Sequence, residues 1–301
     1  MTASHRLLRE VASDLETAGL RGWYLVRDLL TGEEIGIDPD TQVPIASLVK
    51  IPLALSVLER MRTGELDAAD EVRVMPGATE VTGPVGVTKF RHPATIALGD
   101  LLYLAVSLSD TVAADALFER VPPREVDADL RSWGVHGFLV RHRVGELTET
   151  PLEAMVEVSA MAYALAAGGG TPGGGHRVPQ LDVGHANAAS ARGCVDLLER
   201  IWVADGTLDE SVSARVRSLM GDNVVQRQRL WPDFASDAST WSSKSGTLLN
   251  LRHEMGVVEH ADGGLFAIAA LTESSVAAAV QPAAEATMGR VARRLRDHLR
   301  R

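Results

Sequence analysis

Charged residues Arg6, Arg9, Glu10, Asp14 and Glu16 are spread through an amphipathic stretch from His5 to Ala18, which predicts a helix ended by Gly19. Gly22 to Asp28 reads as a strand, Thr31 to Glu34 as a turn, and Glu34 to Ile37 as a strand pairing back. The pattern then changes. From Pro44 to Val57 nearly every position is apolar, and the run extends to about Arg62 before Gly64 stops it. A helix apolar on all sides is a buried helix. Asp70 to Val74 is a short extended piece, and Pro76 to Pro93, with three Gly and three Pro, is loop. Leu98 to Ser107 and Val112 to Arg120 are helices, and so is Glu125 to Trp133.

Phe138 to Thr150 is irregular and charged. Pro151 to Ala167 is an Ala-rich helix with Pro in its first turn, broken by the glycine cluster from Gly168 to Gly175. Ser190 to Ala204, with Ser190 as its cap, and Asp209 to Met220 are further helices, and Gln226 to Pro232 is loop. Thr240 to Lys244 is a strand. His253 to His260 and Gly264 to Leu271 form a hairpin around Ala261-Asp262-Gly263, and Pro282 to Arg301 closes the chain as a helix. Strands at both ends with helices between them predict an α+β fold: one antiparallel five-stranded sheet from N- and C-terminal strands, flanked by helices, with an all-helical region inserted. The expected organisation is a single catalytic domain over 1–301. Its sheet part covers about 1–45 and 240–301, its helical part about 46–239.

Composition narrows the classes of function. The 301 residues are 46% hydrophobic, enough for a sizeable core, and the net charge of −10 comes without a basic patch for nucleic acid. Cys194 is the single cysteine, so no internal disulfide framework exists; its place among Val195, Leu197 and Leu198 suggests a buried thiol. The histidines show no His-x-x-x-His spacing, and Gly168 to Gly175 has neither the preceding strand nor the following lysine of a phosphate loop. No metal or cofactor is expected. No apolar run is long enough to span a membrane and the first residues lack a leader's apolar core, so the expectation is a cytoplasmic protein.

Candidate chemistry lies on the buried helix. Ser47 and Lys50 are three residues apart, a spacing that places both side chains on one helix face. A lysine in apolar surroundings is unfavourable unless partnered, and burial beside a second cation pushes it towards the neutral amine, which can take a proton from a serine. Ser47 near the helix start also presents its backbone N–H to a developing oxyanion. Two further elements follow in order: Ser109-Asp110-Thr111 after an apolar helix, and Lys244-Ser245-Gly246-Thr247 on a strand. Ser109-Asp110 is also a good helix N-cap, a role compatible with catalysis.

These elements, together with the stretches Ile45 to Pro52, Leu101 to Leu117, Trp241 to Thr247 and Arg252 to Val258, resemble the class A β-lactamase-type serine hydrolases of the penicillin-recognising group. The resemblance extends from about Gly22 to the last helix. It implies that Ser47 is the acylated nucleophile, Lys50 its general base, Ser109 the proton relay to the leaving nitrogen and Lys244 the cation that biases Lys50. It implies an oxyanion hole from the Ser47 and Thr247 N–H groups. The resemblance also implies that Ser245, Gly246, Thr247 and Arg252 receive a substrate carboxylate, with Arg227 or Arg229 as the alternative cation, and that Thr111 lies at the substrate amide.

The chain departs from the family twice. Thr111 stands where the family has an asparagine, which loses an amide donor and acceptor. The family's water-activating glutamate, in a Glu-x-x-Leu-Asn pattern, aligns with Val144, with Leu147 and Thr148 on the Leu-Asn pair. Glu146 is a candidate substitute, although two residues on it would point elsewhere in an unaltered loop, and the alternative is a solvated loop acid; Glu149, Asp182 and His185 are other candidates. Thr150 to His185 reads as an insertion. The expected function is acyl-enzyme formation on Ser47 and hydrolysis of a β-lactam or related amide or ester, the partner being a small molecule with a carboxylate. The alternatives are an acyltransferase or penicillin-binding-type enzyme with slow deacylation, and a catalytically silent binding protein of the same fold.

Overall fold

The computed structural model describes residues 2–75, 86–148, 159–171, 175–223, 229–278 and 280–300. Helix α1 (Ala3–Thr17) leads into strands β1 (Leu20–Asp28) and β2 (Glu34–Ile37). A short strand β3 (Val43–Pro44) precedes helix α2 (Lys50–Thr63), and β4 (Glu71–Val74) pairs with β5 (Ala94–Ala97). Helices α3 (Leu98–Val106), α4 (Thr111–Arg120) and α5 (Pro123–Ser132) follow, then β6 (Phe138–Leu139), α6 (Ser159–Gly168) and β7 (Ala188–Ala189). Next come α7 (Ala191–Trp202), α8 (Glu210–Gly221) and the single turn α9 (Trp231–Phe234). Three long strands, β8 (Ser239–Leu248), β9 (Leu251–His260) and β10 (Leu265–Ser274), lead to α10 (Pro282–Leu299). Among the described residues no helix is long and apolar enough to cross a membrane.

The expected five-stranded antiparallel sheet is present in the order β2-β1-β10-β9-β8, so the first and last parts of the chain meet where β1 pairs with β10, Leu20 opposite Ser274. Both faces are covered, as the period of two on β10 shows. Ala267, Ala269 and Leu271 join the core beneath α2, α3, α4, α7 and α8; Phe266, Ile268 and Ala270 join the core against α1, α9 and α10. Strand β8 is left with a free edge, and that edge faces the start of α2.

Some elements differ from expectation. The extended piece at 70–74 is half of a hairpin with β5, and β3, β7 and β6 form a second small sheet. Such two-residue strands have no detectable alternation, since their pairing depends on where remote segments come to rest. Helix α6 begins within the predicted 151–167 helix; residues 149–158 lie outside the described residues, as does most of the predicted 76–93 loop. Cys194 is buried, as its neighbours suggested, and burial pushes its thiol above the usual range.

Candidate active site

Three elements bring predicted chemistry together, the turn before α2, the α3–α4 junction and strand β8, while a fourth, the 3-10 turn Gly145–Thr148, carries Glu146. Ser47 does not sit on α2 itself but on a 3-10 turn, Ala46–Val49, that leads into it. In that geometry side chains three apart eclipse, so Ser47 and Lys50 remain on one face. Ala46 has φ of +48°, a costly conformation for a side chain with a Cβ. What holds it there is close contact with β8. A Cβ on Gly246 would lie 2.7 Å from the Ile45 carbonyl and 3.3 Å from Leu48 Cγ. Glycine at 246 is thus required for the edge strand to approach the Ser47 turn.

Lys50 to Val57 on α2 are all buried, and Lys50 is fully so. Lys50 Nζ donates to the Ser109 carbonyl at 2.6 Å and lies 3.4 Å from Ser109 Oγ. Lys244 Nζ donates to the same Oγ at 2.9 Å and to the Ser245 carbonyl at 2.9 Å. Ser109 has φ of +57°. That strained backbone turns its carbonyl and its hydroxyl towards the two lysines together. Burial pushes Lys50 down to about 8, with Asp110 and Asp115 opposing the shift. Burial also holds Lys244 well below its ordinary range, reinforced by Lys50 and Arg229. Ser47 is half-buried on the turn that leads into Lys50, and its hydroxyl makes no hydrogen bond to Lys50 here. Such contacts commonly tighten only when substrate is bound.

Asp110 is the expected N-cap of α4. Its Oδ1 accepts from Val112 N at 2.9 Å, Ala113 N at 3.2 Å and Thr88 Oγ1 at 2.6 Å, while Oδ2 accepts from Val87 N and Thr88 N. One carboxylate therefore anchors both α4 and the turn at 87–89 beside Ser109. Thr111 follows at the first position of α4, half-buried.

Strand β8 presents the rest. The Ser243 carbonyl accepts from Asn223 Nδ2 at 3.2 Å and the Ser245 carbonyl from Lys244 Nζ, so these two residues turn their backbones to the free edge. By the alternation of an antiparallel strand, the Thr247 N–H points out from the same edge. Ser245 Oγ is buried without a partner among the described residues. A buried orphan hydroxyl is costly unless a ligand satisfies it.

The structure separates the two arginines that competed for the substrate carboxylate. Arg252 stands opposite Thr247 in register, but its head is consumed locally. Nη1 donates to the Leu249 carbonyl at 2.5 Å and the Leu251 carbonyl at 2.8 Å, and Nη2 to Ala278 O at 3.3 Å. Arg229 instead donates to Thr247 Oγ1 at 2.7 Å, to the Gly246 carbonyl at 3.0 Å and to the His253 carbonyl at 2.7 Å. Its Nε lies 3.2 Å from Glu285, whose carboxylate is 3.7 Å from Arg252 Nε. Two buried guanidiniums thus share the Glu285 carboxylate beside Thr247. Arg227, the other alternative, lies outside the described residues. Glu254 holds Arg229 in place, since its buried carboxylate accepts from Leu230 N at 3.0 Å as well as from Trp241 Nε1 and Ser243 Oγ, both at 2.8 Å.

Glu146 is not brought to the lysines. Its side chain is exposed and its Oε1 accepts from Arg143 N at 3.3 Å and Arg143 Nε at 3.4 Å. Two positions from Val144, on a 3-10 turn, it points away from the side that Val144 buries in the core. Asp182 accepts from His176 N at 3.1 Å and Gly184 N at 2.7 Å, within its own loop, and His185 lies 3.6 Å from it. Glu149 lies outside the described residues. The carboxylate that does lie under this turn is one the sequence did not single out. Asp115 Oδ2 accepts from Gly145 N at 2.8 Å. Burial pushes its carboxyl up to about 6, opposed by bonds from Gly145 and Val144 and by the charge of Lys50. Its signal was faint: an aspartate one turn after Thr111 in the otherwise apolar face Ala113, Ala114, Ala116 and Leu117.

Comparison with known proteins shows the family and the fold. The profile described as the beta-lactamase enzyme family matches residues 6–299. The beta-lactamase regulatory protein BlaB of Streptomyces cacaoi is 56% identical over 311 residues, covering 100% of this chain and 99% of that protein. A beta-lactamase from Chitinophaga pinensis superimposes with a TM-score of 0.78 at 18% identity, covering 98% of this chain and 99% of that one. A mutant of PBP-A, solved as an acyl-enzyme complex with penicillin G, does so with a TM-score of 0.74 at 14% identity, covering 98% and 97%. At such identities the structural likeness is one of fold.

Proposed function

The chain belongs to the beta-lactamase enzyme family, and from that premise we propose that it is a serine hydrolase which forms an acyl-enzyme on Ser47 with a β-lactam or related amide and releases the acyl group slowly. The observation that carries this reading is the convergence of Lys50, three residues after Ser47, and Lys244 on Ser109 Oγ, combined with a 144–148 turn whose one carboxylate faces solvent. Neutral Lys50 takes the Ser47 proton as Oγ bonds the acyl carbon. The oxyanion lies between the Ser47 and Thr247 N–H groups, where losing one donor costs on the order of 100- to 1000-fold in rate. Ser109 passes its proton to the leaving nitrogen and is reprotonated from Lys50. Ser245 Oγ, Thr247 and Arg229 receive the substrate carboxylate, the unpartnered Ser245 hydroxyl supporting that assignment.

Release is the weaker half. Val144 is buried where the resemblance expects a glutamate, so no side chain at that position can activate water. An acyl-enzyme that persists is a record that the small molecule was met. The name of the 56% identical relative, a regulatory protein, supports a role for such a record in signalling rather than in bulk destruction of substrate.

Mass spectrometry after incubation with a penicillin and a cephalosporin tests the reading. A mass increase equal to the whole β-lactam, mapped to the Ser47 peptide, absent in Ser47→Ala and decaying over many minutes, is expected. No adduct with either compound at any time would overturn acylation. An adduct gone within one turnover cycle of a second or less would overturn slow release.

A further inference from the structure

His253 lies on β9, directly across the ladder from Gly246 on β8. Cross-strand partners point to the same face of a sheet. The imidazole therefore stands beside the space that Gly246 leaves open, and both meet the same stretch of chain. A Cβ on Gly246 would press on the Ile45 carbonyl, while His253 Nε2 lies 2.8 Å from the carbonyl of Pro44, the residue before. On the other side of the ring, Nδ1 accepts from Thr272 N at 3.1 Å. A backbone N–H can only donate and a carbonyl can only accept, so the proton sits on Nε2 and both ring nitrogens of a neutral histidine are used. The ring is fully buried, and burial pushes it down to about 4, opposed by the bond to Pro44 and reinforced by the charges of Arg229 and Arg252.

Pro44 lies three residues before Ser47, and between them Ala46 is held at φ of +48°. Such a backbone persists only where its surroundings over-determine it. Here the Pro44 carbonyl is bound by His253, Ile45 N donates to the Asn187 carbonyl at 3.0 Å, and Leu48 N donates to the Ile45 carbonyl at 3.1 Å. We propose that His253 is a positioning residue for Ser47: its Nε2–H ties the Pro44 carbonyl to the middle of the sheet and so fixes where the turn carrying the nucleophile rests against β8. This rests on the reading of Ser47 as an acylated nucleophile. Both ring bonds go to backbone, so His253 acts through the turn and not on substrate. Without the Pro44 bond the strain at Ala46 can relax, and the Ser47 hydroxyl and N–H then move together relative to Thr247.

Two substitutions separate the Pro44 bond from the rest. His253→Asn keeps an acceptor where Nδ1 stands but is too short to reach Pro44, whereas His253→Gln places an amide N–H where Nε2 stands. Hydrogen exchange of the full chain without substrate is the first measurement. In His253→Asn the Ile45 and Leu48 amides should exchange roughly tenfold faster than in the wild type while β9 and β10 keep their rates, and in His253→Gln the protection should return. Unchanged exchange at 45–48, or a uniform loss across the sheet, overturns the proposal. The second measurement is the rate of Ser47 labelling against the concentration of a fluorescent penicillin. In His253→Asn the saturating rate should fall about 10- to 100-fold with the half-saturating concentration within about threefold of wild type, and His253→Gln should restore most of the rate. Folded His253→Asn labelling at the wild-type rate, or a loss confined to the half-saturating concentration, overturns it. Should His253→Asn not fold, nitrogen-15 NMR of the wild-type ring decides: an Nδ1–H tautomer, or titration in the ordinary range near 6.5, overturns the proposal. If Ser47 is labelled at no concentration, the acylation reading fails, and the exchange measurement still decides whether His253 holds the turn.

Discussion

Lys50 and Lys244 reach the same hydroxyl: Ser109 Oγ lies 3.4 Å from one Nζ and 2.9 Å from the other. Two buried ammonium groups around one serine repel, and each is already disfavoured by burial. The arrangement lowers the cost of losing one proton from the pair.

Lys50→Met should therefore stabilise the fold while abolishing acylation. Lys50 falls from an ordinary 10.5 to about 8 in the native site. Between those values the unfolded chain holds the proton and the native chain does not. Stability of the wild type thus rises with pH through that window, and below it the burial penalty is at its full value of about 3 kcal/mol. Losing the bond to the Ser109 carbonyl returns about 1 kcal/mol. The expected net gain is about 2 kcal/mol at pH 7, shrinking as pH rises from 8 towards 10.5. Denaturant melts at several pH values check it; a gain that grows with pH would contradict it.

Arg229 and Arg252 should separate cleanly. Arg229→Ala is expected to slow acylation by a carboxylate-bearing penicillin about 10- to 100-fold, the worth of one charge-assisted hydrogen bond. The slowing should vanish for the methyl ester of the same penicillin. Arg229→Lys should not restore the rate, because a lysine cannot serve Thr247 Oγ1 and two carbonyls in one plane. Arg252→Ala should lower stability and leave the ester-to-acid ratio at the wild-type value.

Glu146→Gln should change neither acylation nor release by more than about twofold, since its carboxylate bonds to Arg143 at the surface and exposed pairs of this kind contribute at most about 1 kcal/mol. The adduct decay rate is the measurement. A tenfold longer lifetime would return Glu146 to the chemistry.

Gly246→Ala is expected to destabilise by about 1–3 kcal/mol and to slow acylation further than stability alone explains. The added methyl meets the Ile45 carbonyl at 2.7 Å, and the turn carrying Ser47 must move to admit it. Comparing the melting shift with the labelling rate of fully folded protein separates the two effects.

Much of this site was legible before any coordinates. Ser47 and Lys50 share a face by spacing alone, Asp110 caps α4 as its residue type suggests, and β9 and β10 form the expected hairpin. Other contacts depend on packing. Arg252 looked suited to a carboxylate because it lies on the strand beside β8, yet its side chain bends back to the carbonyls of the β8–β9 turn. Glu146 lies two residues from Val144, and a step of two on a tight turn reverses direction, as expected for an unaltered loop.

By itself the chain determined what is periodic or local: the apolar helix around Lys50, the strands that build the sheet, the caps, and the residue types competent for acyl transfer. Only the tertiary structure decided which side chains meet. Ser109 and Lys244 are 135 residues apart and meet because β8 comes to rest against the α3–α4 junction, while Gly246 lets the same strand approach the turn carrying Ser47. Spacing along a chain constrains direction within one element, whereas contact between elements is set by the packing of all of them, which is what puts Arg229 rather than Arg252 on Thr247 Oγ1 and Asp115 rather than Glu146 under the backbone of Gly145.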